Sequence, residues 1–239
     1  MNSMGYLRVA CATPKAKKAH PAENTNKILE LIQQAEDKGT GLLVFPQLAI
    51  TGSDCGQLFY QKQLYKHQLE CMEDIVSFTD GKQVTVLLGY YEIEENRLFN
   101  KYAVIQNGEM FDTSYIDDLT RDQRKIFSYP QTDGIVYTDD YTTFSVNADA
   151  EISIISRCEN PMVGQFKYSE NVAMAASGES NNIAILLSTN GTAIVAENGK
   201  IITKKSPFEN EELTFADVDT EHVLPPVSQN TSGWSLSNA

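Results

Sequence analysis

A cysteine near the middle of the chain is the residue best suited to nucleophilic chemistry. Cys158 follows an apolar, strand-like run at residues 152–156 and is itself followed by Glu159. A thiol attacks a carbonyl carbon efficiently when a neighbouring base takes up its proton. The turn that ends a second apolar run, residues 41–52, would supply this base, and it carries Gln47. Because a carboxamide cannot take up a thiol proton at neutral pH, the sequence predicts a nucleophile separated from its base.

Other side chains could replace the missing base. Glu159 directly follows the thiol on a chain that we expect to be extended, so its side chain is predicted to point away from Cys158. Glu179 is predicted to line the wall of a site rather than to act as the base. The chain also has three imidazoles, for which we expect surface positions: His20, His67 and His222.

The composition indicates one acidic globular domain. The chain has 239 residues, of which 41% are hydrophobic, and its formal net charge is −13. This length is sufficient for a single large core. The negative charge disfavours nucleic acid and anionic membranes as partners, so we expect small molecules or proteins instead.

The cysteines show neither metal-ligand spacing nor a disulfide framework. They are Cys11, Cys55, Cys71 and Cys158. We therefore predict no metal site and no cofactor, and a reducing compartment. The first residues lack the basic flank and apolar centre of a signal peptide, and no apolar run reaches membrane-spanning length, so we expect a cytoplasmic location.

Alternating strand and helix patterns predict an α/β fold. We expect helices at residues 22–38 and 58–78, among strands at 7–12, 42–45 and 84–91. The dipeptides Asn107-Gly108 and Asn198-Gly199 lie between strand-like runs and predict type I′ hairpins. Further strands are expected at residues 134–137, 142–146, 152–156 and 183–187.

Longer motifs along the chain carry a resemblance to a known family. They are Leu7–Lys15, Leu43–Phe59, Tyr102–Glu109, Arg157–Glu159, Ala176–Ser180, Ile194–Lys200 and Ala216–Asp219. In this order they resemble the glutaminase domain of bacterial glutamine-dependent NAD synthetases, which belongs to the nitrilase or carbon–nitrogen hydrolase superfamily. The resemblance covers residues 5–223.

The resemblance implies a Glu-Lys-Cys triad, in which the cysteine attacks a carboxamide, the glutamate is the base and the lysine stabilises the oxyanion. Cys158 matches the nucleophile. Gln47 occupies the glutamate position, and Thr113, to within a residue, occupies the lysine position. No lysine lies between Lys101 and Lys125. The triad is therefore predicted to be degenerate.

The resemblance also implies further site residues. A second glutamate of the family is replaced, with Thr120 and Gln123 as its nearest counterparts. Substrate-binding positions are matched by Glu159, Glu179 and Ser180.

The fold implied by the resemblance is a four-layer αββα sandwich over residues 1–223, followed by an extended tail at residues 224–239. Only about twenty residues separate Cys158 from Gly178. The family has a helix and a strand in this interval, so one βα unit is expected to be missing. A homodimer or larger assembly is also implied.

Two functions stay open at the level of the sequence. The domain is either a pseudoenzyme that serves as a binding or regulatory subunit, or a working amidase or glutaminase with a relocated base that supplies ammonia to a separate synthetase for NAD synthesis. A gene product without a selected role is a third possibility. Cys158 reactivity discriminates between the first two, because an assisted thiolate reacts rapidly near neutral pH.

Overall fold

A computed structural model of the protein describes residues 5–116, 119, 122–128, 136–138, 143–146, 151–158, 162, 164–179 and 182–220. Its α-helices are α1 (Pro21–Asp37), α2 (Lys62–Phe78) and α3 (Gln165–Glu179). Pro21 stands in the first turn of α1, where its missing N–H is not needed, and Gly39 follows the helix with a φ of +67°. None of the described helices is long and apolar enough to cross a lipid bilayer.

The described strands form two six-stranded sheets. Sheet A has the order β12-β1-β2-β3-β4-β5, and sheet B has the order β11-β10-β9-β8-β7-β6. The strands of sheet A are β1 (Tyr6–Ala12), β2 (Leu42–Val44), β3 (Thr85–Glu94), β4 (Arg97–Gln106), β5 (Glu109–Tyr115) and β12 (Leu213–Asp219). Those of sheet B are β6 (Val136–Thr138), β7 (Thr143–Val146), β8 (Ile152–Arg157), β9 (Ile183–Ser188), β10 (Ala193–Glu197) and β11 (Lys200–Lys205).

Each sheet has three parallel strands at its centre and antiparallel strands outside them. The parallel strands are β1, β2 and β3 in sheet A and β7, β8 and β9 in sheet B. The predicted hairpins join β4 to β5 and β10 to β11, and Asn107, Gly108, Asn198 and Gly199 all have the positive φ that a type I′ turn requires.

The layers follow the order helices, sheet A, sheet B, helix. Residues of α1 and α2, such as Ile32 and Ile75, pack with Leu43 and Val86 on the outer face of sheet A. The inner faces of both sheets form a second core, and α3 packs on the outer face of sheet B through Ala173. The predicted αββα sandwich is confirmed.

The elements differ from the sequence prediction in three places. The helix expected at residues 58–78 begins at Lys62, because Gly56–Tyr60 forms a 3-10 turn that places Phe59 in the core. Helix α3 and strand β12 were not predicted. In the described residues, α3 is the connection between the parallel strands β8 and β9, within the interval in which one βα unit is expected to be missing. The tail at residues 224–239 lies outside the described residues.

Candidate active site

The positions predicted for the base and the nucleophile lie at the carboxyl ends of two central parallel strands, β2 and β8. Gln47 lies three residues after the end of β2, and Cys158 directly follows β8. Functional residues of α/β folds typically lie at the carboxyl ends of parallel strands. The sandwich therefore brings the segments that carry Gln47 and Cys158 together from opposite sheets.

The turn that carries Gln47 is held tightly against β3. Phe45 donates its backbone N–H to the Leu87 carbonyl at 2.8 Å, and Ala49 donates to the Gly89 carbonyl at 2.9 Å. A Cβ atom at Gly89 would lie 2.4 Å from the Pro46 oxygen and 2.6 Å from the Gln47 Cα. Within the turn, Leu48 has a φ of +55°, which is unusual for a branched side chain. Gly89 is therefore required for this position of Gln47.

The Gln47 side chain makes three hydrogen bonds inside the sandwich. Its Nε2 donates to the Ser156 carbonyl at 2.8 Å, and its Oε1 accepts from Asn100 Nδ2 at 2.8 Å and from Gln123 Nε2 at 2.9 Å. The Gln47 residue is only 1% exposed. We call Gln47, Asn100 and Gln123 the amide network. It uses both the donor and the acceptor of the Gln47 carboxamide, as no carboxylate could.

A second pair of polar groups extends the amide network. The Tyr102 hydroxyl donates to the Phe45 carbonyl at 2.7 Å and lies 2.7 Å from Ser156 Oγ. Burial raises the pKa of Tyr102, so its hydroxyl stays neutral. Together with the amide network, Tyr102 and Ser156 place five uncharged polar side chains between the sheets.

Cys158 is half-buried and lies two residues beyond Ser156. The preceding residue, Arg157, accepts a hydrogen bond from the Thr189 N–H at 3.0 Å, which ties the end of β8 to the turn after β9. A cavity of about 90 Å³ lies beside the turn and is lined by residues that include Gln47, Asp54 and Thr189. A larger groove of about 540 Å³ lies between α1 and α2, and no residue of the amide network lines it.

The register of β5 bears on the position predicted to correspond to the family's lysine. Thr113 pairs with Ala103, which packs in the outer core under α1 and α2, whereas Ser114 pairs with Tyr102 of the polar site. Directly paired positions share a face of the sheet. The assignment of Thr113 stays a prediction, and the register gives Ser114 as the neighbouring position on the site's face.

Lys101, which directly follows Asn100 in the sequence, lies in a different environment from the amide network. Its ammonium contacts Glu92 at 2.6 Å and Glu94 at 2.9 Å, and it lies 4.6 Å from the centre of the Tyr115 ring. Because Lys101 directly follows Asn100 on β4, the two side chains point to opposite faces of sheet A. Lys101 therefore does not serve the site.

The other predicted site residues are distributed as follows. Glu159, Ser180 and Thr120 lie outside the described residues, and so does the side chain of Glu179, which ends α3. Gln123 lies in the amide network. His20 is exposed and His67 is half-buried beside the groove between the helices. In the described part of the chain, no group of three or more His, Cys, Asp or Glu residues is placed to hold a metal ion.

Sequence reasoning did not single out Asn100, Ser156 or Gly89. Asn100 interrupts the apolar side of a strand, and a buried amide in such a position requires a polar partner. That is the signal that could have identified it. The contact of Gly89 with the turn depends on the approach of two backbones and has no local sequence signal.

Comparison with known proteins places the chain in a family. Residues 8–142, more than half of the chain, match the carbon-nitrogen hydrolase family. The chain belongs to this family. Over 107 residues it is 30% identical to the glutamine-dependent NAD(+) synthetase of Thermotoga maritima, and over 127 residues it is 26% identical to that of Xylella fastidiosa.

These alignments cover part of each protein. They span 45% and 51% of this chain, but only 18% and 23% of the two synthetases. The chain thus matches less than a quarter of the length of these curated relatives.

Solved structures confirm the fold. A glutamine-dependent NAD(+) synthetase from Cytophaga hutchinsonii superimposes with a TM-score of 0.81 at 16% identity, covering 90% of this chain and 43% of that one. An amidase from Nesterenkonia superimposes with a TM-score of 0.78 at 13% identity, covering 91% and 92%. The predicted resemblance to the glutaminase region of NAD synthetases is confirmed at the level of family and fold.

Proposed function

We propose that this carbon-nitrogen hydrolase domain acts as a binding or regulatory subunit and has lost efficient amide hydrolysis. The observation that supports this most strongly is the buried carboxamide of Gln47 at the base position. Its three hydrogen bonds fix it in a role that a proton acceptor could not fill. Position 47 therefore supplies hydrogen bonds and not a base.

The expected loss of rate is large. A general base contributes about 10²–10⁴ to a rate, and an oxyanion donor contributes about 10²–10³. Even if these penalties add only partly, turnover would fall by about 10⁴ or more. Such a domain would be silent as a glutaminase.

The proposed replacements of the family's glutamate and lysine form a consistent set, because together they remove charges of both signs. A buried carboxylate whose cationic partner has been lost is costly. The buried polar side chains described around Gln47 include the amides of Asn100 and Gln123 and the hydroxyls of Tyr102 and Ser156, all of which are uncharged. An uncharged set can remain buried between the sheets without a counter-ion.

The cavity at the site also favours a role other than turnover. Its volume is about 90 Å³, whereas pockets for small-molecule ligands typically measure about 300–1,000 Å³. The site is therefore better suited to a structural role than to the binding of glutamine. We further propose that the domain acts in the cytoplasm through a protein partner, either a separate synthetase or another copy of the chain.

Ammonia release from glutamine tests this proposal. The purified protein and its Cys158→Ser variant should release ammonia equally slowly, at protein concentrations high enough to detect very slow turnover. Turnover that the Cys158→Ser change abolishes would contradict the proposal. It would support a working amidase or glutaminase that supplies ammonia for NAD synthesis, with a base outside the amide network.

Restoring the charges provides a sharper test of the same site. We would combine Gln47→Glu and Gln123→Glu with Ser114→Lys, and use the same pair with Thr113→Lys as the matched control. Because position 114 pairs with Tyr102 of the site and position 113 pairs with Ala103, a gain in Cys158-dependent turnover is expected with Ser114→Lys only. An equal gain in both would contradict the register argument.

A further inference from the structure

The outer face of sheet B is covered less completely than that of sheet A. Helix α3 packs mainly on β9 and β10. On β8, the outward positions Ser153, Ile155 and Arg157 are only half-buried, whereas every residue of β9 is buried. Strands in parallel pairing, as β8 is with β7 and β9, are normally covered on both faces. The outer face of β8 is thus only partly covered by the described part of this chain, and it presents one apolar side chain, Ile155, between two polar ones.

The outward side of α3 resembles an interface more than a solvated helix surface. Its exposed residues are Lys167, Tyr168, Asn171, Ala175 and Gly178. The exposed residues of α1, in contrast, include Glu23, Glu30, Gln33, Gln34 and Asp37. Tyr168 is 56% exposed, and Met162, just before α3, is 71% exposed. Tyrosine, methionine and arginine are enriched in the centres of protein interfaces.

Positive charge borders this surface, although the whole chain is acidic. The Arg157 guanidinium lies 5.2 Å from the centre of the Tyr168 ring. The ammonium groups of Lys167 and Lys204 both contact the buried carboxylate of Glu170, at 2.9 Å and 2.6 Å. These four side chains supply three cations and one carboxylate, whereas the chain as a whole has a net charge of −13. Complementary charge selects partners and speeds their association, so this surface favours an acidic partner.

We propose that this surface docks an acidic amphipathic helix of another protein. We call it the β8–α3 face, and it consists of Ile155, Arg157, Met162, Lys167 and Tyr168. The partner helix would place its apolar side on Ile155, Tyr168 and Met162 and its carboxylates near Arg157 and Lys167. It would complete the outer layer of sheet B, as the pair α1 and α2 completes that of sheet A. The proposal does not depend on whether Cys158 is active.

A synthetic helix tests the proposal directly on the full chain. The probe is a fluorescent amphipathic peptide of about 18 residues, with leucine on one side and glutamate on the other, which is long enough to span β8. Its control has lysine in place of glutamate. Fluorescence anisotropy should show binding of the glutamate peptide, weakened by added salt, and no binding of the lysine peptide.

Variants locate the binding surface. Tyr168→Ala should weaken binding of the glutamate peptide by about tenfold or more, as expected for an aromatic anchor, and Lys167→Glu should weaken it further at low salt. Phe208→Ala is the matched control, because Phe208 is an aromatic residue that is 85% exposed and lies outside the β8–α3 face. It should bind the peptide as the wild type does. Circular dichroism would verify that each variant is folded.

Three results would overturn the proposal. One is equal binding of the glutamate and lysine peptides, and another is an equal effect of Tyr168→Ala and Phe208→Ala. The third would come from sedimentation: a dimer that Tyr168→Ala dissociates, together with no peptide binding to the wild type, would show that a second copy of the chain covers this face.

Discussion

The two outer faces of the sandwich differ in how they are covered. Over sheet A, α1 and α2 bury a broad apolar core that includes Ile32 and Ile75. Over sheet B, α3 buries a small cluster, and Ile155 at its edge is only partly buried. Gln47 follows a strand of sheet A, and Cys158 follows a strand of sheet B. In the described residues, sheet A and its two helices thus form the more completely packed part of the sandwich, and the surface proposed above for a partner lies on the less completely packed sheet B.

A pair of isoleucine truncations should show the largest contrast between the halves. Ile32→Ala removes a side chain that is fully buried between α1 and sheet A, so it should lower the free energy of unfolding by about 2–5 kcal/mol. Ile155→Ala removes a partly exposed side chain and should cost about 1 kcal/mol. Urea denaturation measures both values, and equal losses would remove the contrast.

A pair of glycine substitutions tests how tightly the scaffold holds the Gln47 turn. Gly89→Ala places a Cβ against the backbone of Pro46 and Gln47 and should destabilise the fold by about 3 kcal/mol. Gly178→Ala is the control in α3, where the nearest atom would be the Gly199 Cα at an ordinary 3.4 Å. Because alanine favours a helix, this change should be neutral or stabilise by up to about 1 kcal/mol. Thermal unfolding would distinguish them, and a neutral Gly89→Ala would contradict the close approach.

Lys101 forms ion pairs with Glu92 and Glu94 on sheet A. Lys101→Met should cost about 2 kcal/mol, because it leaves two partly exposed carboxylates without their cation. Burial pushes the pKa of Glu94 up, but hydrogen bonds from Lys101 and Tyr115 and the charge of Lys101 lower it overall.

The pH dependence of this loss follows from the direction of the Glu94 shift. A carboxyl group with a lowered pKa stabilises the fold above its unfolded value, and this stabilisation disappears as the pH falls through the folded value. The difference between the wild type and Lys101→Met should therefore shrink below about pH 4.3. Denaturant titrations at several pH values would check this, and a constant difference would show that the loss is one of packing.

A carboxyl group at position 47 should give a smaller loss, which also grows as the pH rises but results from a raised rather than a lowered pKa. In Gln47→Glu, the ionised group would place one oxygen against the Ser156 carbonyl, whereas the protonated group could still donate to it. Burial also disfavours the charge, so we expect a raised pKa, with stability highest at acid pH and lost as the pH rises. The loss at pH 7 should be about 1–2 kcal/mol.

Gln34→Glu on the exposed side of α1 is the matched control for this change. It should alter the free energy of unfolding by less than about 0.5 kcal/mol. A Gln47→Glu variant as stable as this control at pH 7 would show that the amide network does not discriminate against charge.

Local patterns in the sequence were sufficient for much of the fold. The helical period over residues 22–38 and the two Asn-Gly turns predicted α1 and both hairpins to within about a residue, because their signals are short-range. Helix α3 was missed because its apolar residues, which include Tyr168 and Ala175 on the exposed side, do not keep to one face. One of these two residues, Tyr168, also belongs to the β8–α3 face.

The site was predictable only in part. The residue types at Gln47 and Cys158 and the absence of a nearby lysine could be read from the chain. The partners of Gln47 could not, because Asn100, Gln123 and Ser156 are brought to it by pairing between distant strands and by the approach of two sheets. The register of β5, which distinguishes Thr113 from Ser114, likewise depends on the bulge between Val104 and Ile105.

The reactivity of the Cys158 thiol tests the central claim most directly. Its rate of alkylation by iodoacetamide would be followed from pH 6 to pH 10 by mass spectrometry of the Cys158 peptide, with Cys158→Ser as the blank. Cys11, whose pKa burial raises to about 12, gives the internal reference for a protected thiol. Without a base, the Cys158 rate should be low near neutral pH and rise steeply towards about pH 8.5, the value of an unassisted cysteine. Rapid alkylation that is independent of pH around neutrality would reveal an assisted thiolate and contradict the proposal that this domain has lost its catalytic base.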